Sequence, residues 1–136
     1  MILTNYEELI KKAIDARERS YSPYSGFKVG AAVLCGDGKV YTGCNVENAS
    51  YSESICAERT AIVKAVSRGK RDFVAIAVVG GKNEISDFIY PCGPCRQVLS
   101  EFCSESLEIV LFNGKSTKIC TLGQLFPCSF GASDIK

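Results

Sequence analysis

One apolar run limits the folds open to this chain more than any other part of its 136 residues. The run, D-F-V-A-I-A-V-V-G-G, covers residues 72–81 and is typical of a strand that is covered on both faces. Helical patterns lie on either side of it, at about residues 56–67 and 95–103, and hairpins flank this middle part. The order of elements predicts an α/β fold, a three-layer α/β/α sandwich on a mixed sheet of about five strands.

The first helix is predicted from a capping box near the N-terminus. Thr4 would be the N-cap and Glu7 the N3 residue of this box. Apolar residues then follow at helical spacing as far as about Ser20, before the stretch Y-S-P-Y-S-G ends the helix.

Two hairpin turns are predicted from the pairs Asp-Gly at 37–38 and Asn-Gly at 113–114. The second hairpin makes the last strand antiparallel, because a parallel strand would need a longer crossover. With no linker and no internal repeat, the sequence predicts one domain over residues 1–136. The strands at these turns and a last short helix are predicted at residues 27–35, 39–46, 107–113, 116–121 and 121–126.

The charge balance argues against two classes of partner. Sixteen basic and 15 acidic side chains give a formal net charge of +1, which disfavours nucleic acid or an anionic membrane surface as the main partner. No apolar run approaches the roughly 20 residues that span a bilayer. The beginning, M-I-L-T-N-Y-E-E-L-I, turns polar too soon for a signal peptide. The chain is therefore predicted to be cytoplasmic.

Eight cysteines and the absence of histidine set the available chemistry. In a chain without a secretory signal, clustered cysteines indicate metal binding rather than disulfides. Any metal site must use sulfur or carboxylate, and any general base must be a carboxylate, a lysine, a tyrosine or a thiol. The cysteines stand at positions 35, 44, 56, 92, 95, 103, 120 and 128.

Cys92 and Cys95 form a C-x-x-C motif at the start of a predicted helix. Alone, the motif fits a redox pair, half of a structural zinc site, or two of three catalytic zinc ligands. The order of elements gives no thioredoxin-like context, and the chain has no second C-x-x-C. The candidate for a third ligand is Cys56, which also begins a predicted helix beside the strand at 72–81. The three sulfurs can therefore come together at one place. Three protein ligands would leave a fourth position open, as in catalytic zinc sites.

Three charged residues follow these cysteines closely. Glu58 comes two residues after Cys56 on the same first helical turn and is the best acid–base candidate in a chain without histidine. Arg59 and Arg96 are placed to offset the negative charge of three thiolates. Outside this setting, Glu58 would be a surface residue that stabilises the helix dipole, and the arginines would be exposed helix charges.

The C-x-E…P-C-x-x-C pattern matches the signature of zinc nucleobase deaminases, with cysteine in place of the first histidine. The match extends to P-Y-S-G-F-K-V-G-A-A, G-C-N-V-E-N-A-S-Y, C-A-E-R-T-A-I-V-K-A-V and P-C-G-P-C-R-Q-V-L-S-E-F. Over residues 6–130 these blocks resemble, in order and spacing, the cytidine deaminases of the small, three-cysteine, homotetrameric kind. The resemblance implies hydrolysis of cytidine and 2′-deoxycytidine to uridine and 2′-deoxyuridine with release of ammonia, as a step of pyrimidine salvage.

The resemblance also implies the catalytic centre. Cys56, Cys92 and Cys95 would hold one Zn²⁺ per chain. Glu58 would take a proton from water, protonate N3 of the cytosine ring and later help ammonia to leave, while hydroxide attacks C4 of the ring.

The substrate-binding residues that the resemblance implies are spread along the chain. Asn45 and Glu47 would hold the ribose 3′-hydroxyl, since an amide and a carboxylate two apart on an extended segment point to the same side. Phe27 would pack against the pyrimidine face, the backbone around Ala57 would read the polar edge of the base, and Phe130 would reach a neighbouring subunit's active site. Without the resemblance, Asn45 and Glu47 would be interpreted as turn and cap residues and Phe27 as a core residue.

Two segments depart from the family pattern. Phe126 replaces the second leucine of an L-L-P-x-x-F segment, and residues 82–89 match poorly and are predicted to form a surface loop. Most of the five cysteines outside the motifs are predicted to be buried, small, apolar residues without a chemical role.

Four functions are open at this point. A deaminase of free nucleosides is favoured by Asn45, Glu47 and Phe27, since a grip on ribose is useful only on a nucleoside. A related enzyme would use the same chemistry on another aminated pyrimidine such as blasticidin S. A deaminase of polynucleotides is disfavoured by the near-neutral charge and the lack of an aromatic–basic stripe. A structural zinc or redox module is disfavoured by Glu58 and the open ligand position.

Overall fold

The computed structural model describes residues 6–135, which form a five-stranded sheet with helices on both faces. The helices are α1 (Glu7–Arg17), α2 (Ala57–Ser67), α3 (Gly93–Phe102) and α4 (Leu122–Leu125). The strands are β1 (Lys28–Cys35), β2 (Val40–Cys44), β3 (Phe73–Gly81), β4 (Glu108–Phe112) and β5 (Thr117–Thr121). Short 3-10 helices span Tyr51–Glu53 and Ala132–Ile135. Within residues 6–135, every helix is too short or too polar to cross a membrane.

The apolar strand β3 lies at the centre of the sheet, whose order is β2-β1-β3-β4-β5. β3 pairs antiparallel with β1 and parallel with β4, and β2 and β5 complete the edges in antiparallel pairing. The sheet is therefore mixed, as predicted. The last strand is antiparallel to its neighbour, which confirms the interpretation of the second hairpin.

Both faces of β3 are covered because its side chains alternate between them. Ala75, Ala77 and Val79 belong to the apolar cluster that α1 forms on one face of the sheet. Ile76 and Val78 belong to the cluster on the other face, which also contains residues of α2, α3 and α4. The predicted three-layer α/β/α sandwich is confirmed.

The start of α1 differs from the prediction. Its first residue is Glu7, and the N-cap is Tyr6, which has a left-handed backbone (φ 55°) and makes no side-chain cap. The N-cap is therefore Tyr6 and not Thr4, which lies outside the described residues, and the predicted capping box between Thr4 and Glu7 stays a prediction. The Tyr6 hydroxyl instead donates a hydrogen bond to the carboxylate of Glu108, which ties the start of α1 to β4.

α1 ends at Arg17, earlier than the predicted end near Ser20. The Arg17 side chain is buried, and its guanidinium donates to the carbonyl oxygens of Lys28 at 3.1 Å and Gly81 at 2.7 Å. These two carbonyls belong to the start of β1 and the end of β3. Arg17 therefore joins the end of α1 to the two central strands.

The burial of the five cysteines outside the motifs also differs from the prediction. Only Cys35 is buried, whereas Cys44, Cys103 and Cys120 are half-buried and Cys128 is exposed. Cys44 and Cys120 lie on β2 and β5, the two edge strands, where less of the molecule covers a side chain.

Candidate active site

The N-termini of α2 and α3 bring three sulfur atoms together. Cys56 and Cys92 are the N-cap residues of these helices, and Cys95 lies in the first turn of α3. Pro94 fits in that turn because the first amide groups of a helix have no intrahelical acceptor, and α3 therefore begins at Gly93, earlier than predicted. The Sγ atom of Cys92 lies 3.7 Å from that of Cys56 and 3.2 Å from that of Cys95.

The three sulfurs fit a Zn²⁺ ion. Two thiolates on a tetrahedral zinc stand about 3.8 Å apart, given Zn–S bonds of about 2.3 Å. All three Sγ atoms lie within 4.8 Å of one another. Thiolate ligands suit zinc, whereas Mg²⁺ and Ca²⁺ prefer oxygen. The three ligands would leave one position open, which is the arrangement of a catalytic ion.

A guanidinium lies against this sulfur group. Nη2 of Arg59 donates to Sγ of Cys56 over 3.7 Å, and Nε of Arg59 is buried without a hydrogen-bond partner. The pKa of Arg59 is raised, mainly by its hydrogen bond to Cys56. Arg59 therefore lies within hydrogen-bond distance of one of the three sulfurs, and its predicted role in offsetting their charge stays a prediction.

Hydrogen bonding makes the sulfurs electrostatically unequal. The pKa of the Cys56 thiol is lowered, first by its hydrogen bond with Cys95 and further by Arg59. The pKa of the Cys95 thiol is raised, first by the same hydrogen bond and then by burial. A thiolate therefore forms most readily at Cys56, and a divalent cation binds thiolates rather than thiols.

Glu58 is a buried carboxyl in the first turn of α2, with 4% of its surface exposed. Burial raises its pKa to about 7, because surroundings of low polarity disfavour the charged form. The side chain lines the same cavity as Cys56 and Cys92. Glu58 is thus not the exposed, dipole-stabilising residue that its position alone would suggest.

A cavity of about 430 Å³ opens beside the sulfurs, a size that suits a small molecule. Its walls come from the loop before β1, the end of β2, the segment that leads into α2 and the segment before α3. The residues singled out in the sequence that line it are Phe27, Asn45, Glu47, Cys56, Ala57, Glu58, Arg59 and Cys92.

The side chain of Asn45 is held mostly by its own chain. Its Oδ1 accepts from the Val29 amide at 2.9 Å and from the Ser20 hydroxyl at 2.5 Å, and its Nδ2 donates to the Phe27 carbonyl at 2.8 Å. Both acceptor positions of Oδ1 are therefore used, and one N–H of Nδ2 remains. Towards a ligand, Asn45 can only donate.

The carboxylate of Glu47, which lines the same cavity, can only accept hydrogen bonds. Glu47 is 7% exposed, and its Oε1 accepts from the amides of Tyr24 at 3.0 Å and Ser25 at 3.1 Å. Its Oε2 accepts from the Ser25 hydroxyl. These hydrogen bonds, that of the Ser25 hydroxyl first, lower the pKa of the Glu47 carboxyl. The remaining N–H of Asn45 and the carboxylate of Glu47 suit a hydroxyl group, which both accepts and donates.

Three residues singled out in the sequence do not line the cavity: Phe130, Arg96 and the buried Cys95. Phe130 is 58% exposed, and its carbonyl accepts from Nε2 of Gln97 at 3.0 Å. Arg96 donates from Nε to the carbonyl of Pro91 at 2.7 Å and from Nη1 to the carbonyl of Leu125 at 2.6 Å. Its N–H groups therefore join the start of α3 to the end of α4, whereas Arg59 is the arginine in contact with a ligand sulfur.

Other lining residues were not singled out from the sequence. Ser25 and Tyr51 lie inside the sequence blocks that resemble cytidine deaminases, and this position could have identified them as candidate site residues. Ile89 ends the loop predicted to lie on the surface, yet it lines the cavity because it stands three residues before Cys92. The lining residues not singled out are Ser25, Val29, Tyr51, Ser52, Ser54, Ile55, Ile89 and Tyr90.

An α/β sandwich that carries three clustered cysteines and a buried carboxyl at two helix starts has the features of the zinc-dependent deaminase class. The family model for the cytidine and deoxycytidylate deaminase zinc-binding region matches residues 3–111. The chain belongs to this cytidine and deoxycytidylate deaminase family. It is therefore an enzyme, and zinc is its cofactor.

Individual relatives agree with the family match. The chain is 48% identical over 130 residues to cytidine deaminase from Sporosarcina psychrophila, covering 95% of this chain and 93% of the relative. It is 50% identical over 129 residues to cytidine deaminase from Halalkalibacterium halodurans, covering 93% and 95%. The crystal structure of cytidine deaminase from Burkholderia pseudomallei matches with a TM-score of 0.86 and 49% identity, covering 92% of this chain and 98% of that one.

Blasticidin-S deaminase from Bacillus cereus is a more distant relative. It is 31% identical over 109 residues, covering 75% of this chain and 76% of the relative.

Proposed function

We propose that this enzyme hydrolyses cytidine and 2′-deoxycytidine to uridine and 2′-deoxyuridine with release of ammonia. The observation that carries the proposal is that one cavity is lined both by Glu58 with Cys56 and Cys92, and by Asn45 with Glu47. A centre for removing an amino group and a pair of groups suited to a sugar hydroxyl thus share about 430 Å³. The identity of 48% and 50% to two cytidine deaminases supports the same substrate class.

The catalytic half of the cavity contains the ligands and the proton carrier. Cys56, Cys92 and Cys95 hold Zn²⁺, which when bound supplies a Lewis acid that makes water a better nucleophile near neutral pH. Glu58 carries protons from the attacking water to N3 of the pyrimidine and to the departing ammonia. Its burial, its place in the cavity and its distance of two residues from a ligand support this role. Arg59 offsets the negative charge of the thiolates.

The other half of the cavity holds the nucleoside. The remaining N–H of Asn45 donates to the ribose 3′-hydroxyl, and the carboxylate of Glu47 accepts from it. Phe27 packs against the pyrimidine face, and the backbone around Ala57 reads the polar edge of the base. The support for these roles is that all four residues line the one cavity.

The remaining features of the proposal concern the whole protein. One domain over residues 1–136 assembles as a homotetramer in the cytoplasm and serves pyrimidine salvage. Phe130 completes the active site of a neighbouring subunit, which is supported by its exposure and its position outside its own cavity. Arg96 contributes a positive charge near the ligands and fixes Pro91, the residue before Cys92.

A second candidate substrate is blasticidin S. The likeness to blasticidin-S deaminase favours it, but at 31% identity this likeness is weaker than that to the cytidine deaminases. Asn45 and Glu47 favour cytidine, because they offer a donor and an acceptor to one sugar hydroxyl.

The test is ammonia release by zinc-loaded protein from cytidine, with 2′-deoxycytidine, cytidine 5′-monophosphate and blasticidin S alongside. Turnover of both nucleosides with little turnover of the nucleotide is expected. Turnover of blasticidin S alone would move the assignment to the second candidate. One zinc per chain without turnover of any of them would contradict the proposal and favour a structural metal.

A further inference from the structure

A single hydroxyl group, that of Ser25, links the two residues proposed to face the base and the sugar. Ser25 lies in the turn between α1 and β1 and lines the cavity. Its Oγ accepts a hydrogen bond from the backbone N–H of Phe27 at 2.9 Å and donates one to Oε2 of Glu47. Ser25 therefore contacts both the backbone that carries the aromatic ring and the carboxylate.

Chemistry fixes the direction of these two bonds. A serine hydroxyl has one proton, and a backbone N–H can only donate. The Ser25 Oγ must therefore accept from Phe27, which leaves its proton for Glu47. The backbone N–H of Ser25 also donates to Oε1 of Glu47 at 3.1 Å, so one residue holds both oxygens of the carboxylate.

The Ser25 hydroxyl is the main side-chain support of the Glu47 carboxylate. Among residues 6–135, no lysine or arginine forms an ion pair with Glu47, so the carboxylate is held by hydrogen bonds alone. The Ser25 hydroxyl is the largest of the contributions that lower the pKa of Glu47. It is also the only side-chain group among these contacts, and a substitution can therefore remove it.

The turn has its own supports apart from this hydroxyl. Gly26 has a left-handed backbone (φ 70°), which glycine adopts without strain, and its N–H donates to the Ser22 carbonyl at 2.9 Å. The Glu47 amide donates to the Tyr21 carbonyl at 2.8 Å. Removal of the hydroxyl should therefore leave the turn in place and free Oε2 of Glu47. It also takes the acceptor from the Phe27 N–H, but the Phe27 carbonyl keeps its hydrogen bond from Nδ2 of Asn45, which holds this backbone.

We propose that Ser25 is a positioning residue, which aims the Glu47 carboxylate at a sugar hydroxyl and sets its place relative to Phe27. This inference rests on the proposed function in one respect, that Glu47 contacts the 3′-hydroxyl of the nucleoside. Because Ser25 acts through Glu47, its effect depends on whether the substrate carries that hydroxyl.

The test compares Ser25→Ala, Ser25→Thr and Ser106→Ala in zinc-loaded protein with cytidine and 3′-deoxycytidine. For cytidine, Ser25→Ala should lower kcat/KM roughly ten- to hundredfold, mainly through KM, as expected for loss of a hydrogen bond to a charged group. For 3′-deoxycytidine the loss should stay within about twofold, because the group that Glu47 binds is absent. Ser25→Thr keeps a hydroxyl and should recover most of the activity. Ser106→Ala removes an exposed hydroxyl that lies outside the cavity and bonds to that of Ser104, and it should match the wild type.

A crystal structure of Ser25→Ala gives a second readout that needs no turnover, and a shifted or disordered Glu47 carboxylate is expected. An equal loss on both substrates, no loss on either, or an unmoved carboxylate would overturn the inference. A wild-type protein that turns over neither nucleoside would instead contradict the proposed function, and the position of Glu47 in the variant would still decide the role of Ser25.

Discussion

Glu58 and Glu53 stand five positions apart, yet Glu58 is 4% exposed inside the cavity and Glu53 is exposed on the short helix before α2. Glu58→Ala removes the proposed proton carrier and leaves the three sulfurs. We expect one zinc per chain and a loss of turnover beyond the roughly 10⁴-fold upper range of a simple proton shuttle, since Glu58 would serve several steps. Steady-state kinetics and zinc analysis measure both quantities. Glu53→Ala is the matched control, and a Glu58→Ala variant nearly as active as the wild type would rule out the mechanism.

Arg59 is the cation that contacts a ligand sulfur, whereas Arg68 is an exposed arginine at the other end of α2. Three thiolates and one Zn²⁺ sum to a formal charge of −1, which weakens the ion as a Lewis acid unless a positive charge lies nearby. Arg59→Ala should keep zinc but slow turnover by roughly ten- to hundredfold. Arg68→Ala should leave turnover unchanged. If Arg59→Ala turns over as fast as the wild type, the ion needs no such compensation.

At the scale of elements, the position of α2 depends on a close approach to β2 at Gly43. A Cβ atom at this position would lie 2.5 Å from the Ala61 nitrogen and 2.8 Å from the Ala57 oxygen. Both are backbone atoms, so the whole helix must shift to admit a methyl group. Since Cys56 is the N-cap of α2, such a shift also moves a proposed zinc ligand.

Gly43→Ala should therefore lower the free energy of unfolding by about 1–3 kcal/mol, as overpacking does, and weaken zinc retention as well. Denaturant unfolding and competition with a chromophoric chelator measure the two effects. Gly131→Ala is the control, because a Cβ at residue 131 meets no atom within 4 Å. Unchanged zinc retention in a destabilised Gly43→Ala protein would show that α2 and its ligand move independently.

The order of the elements could be predicted because its signals are local. The β3 run, the two hairpin turns and the helix starts at Cys56 and Cys92 each depend on a few adjacent residues. The start of α1 could not be predicted, since Tyr6 is fixed by a contact with Glu108, which lies 102 positions away. The exposure of Cys44 likewise depends on its strand being at a sheet edge, which short-range pattern does not reveal.

Some features of the candidate site could likewise be predicted from the sequence, and others could not. The meeting of the cysteines and the presence of Glu58 could be predicted, since two helix starts beside one strand bring them to one place. The contacts of Arg96 could not, because they run to Leu125 on a later helix. The role of the Ser25 hydroxyl could not be predicted either, because it depends on a contact with Glu47, which lies 22 positions further along the chain. Motifs predict the chemistry of such a site, and tertiary contacts decide how its groups are aimed.

At the scale of the whole molecule, several large aromatic side chains are exposed to water in a single chain, and one of them lines the cavity. Tyr24 is 55% exposed and Tyr51 is 59% exposed, and Tyr51 lines the cavity itself. Phe130 is 58% exposed on a segment held to α3 through Gln97. Exposed apolar groups of this size suit an interface between subunits, as the proposed homotetramer requires.

Mixed tetramers of Glu58→Ala and Phe130→Ala chains test whether active sites are shared. Phe130→Ala alone should lose about tenfold in kcat/KM, as loss of a well-packed interface aromatic does. In a shared site, the phenylalanine of a Glu58→Ala chain can complete the cavity of a Phe130→Ala chain, so co-expressed chains should exceed the summed activity of the two homomeric proteins. Glu58→Ala chains co-expressed with Glu58→Ala/Phe130→Ala chains are the control, since every cavity then lacks the carboxyl. Sedimentation confirms assembly, and tetramers whose activity equals the sum would place any effect of Phe130 within its own chain.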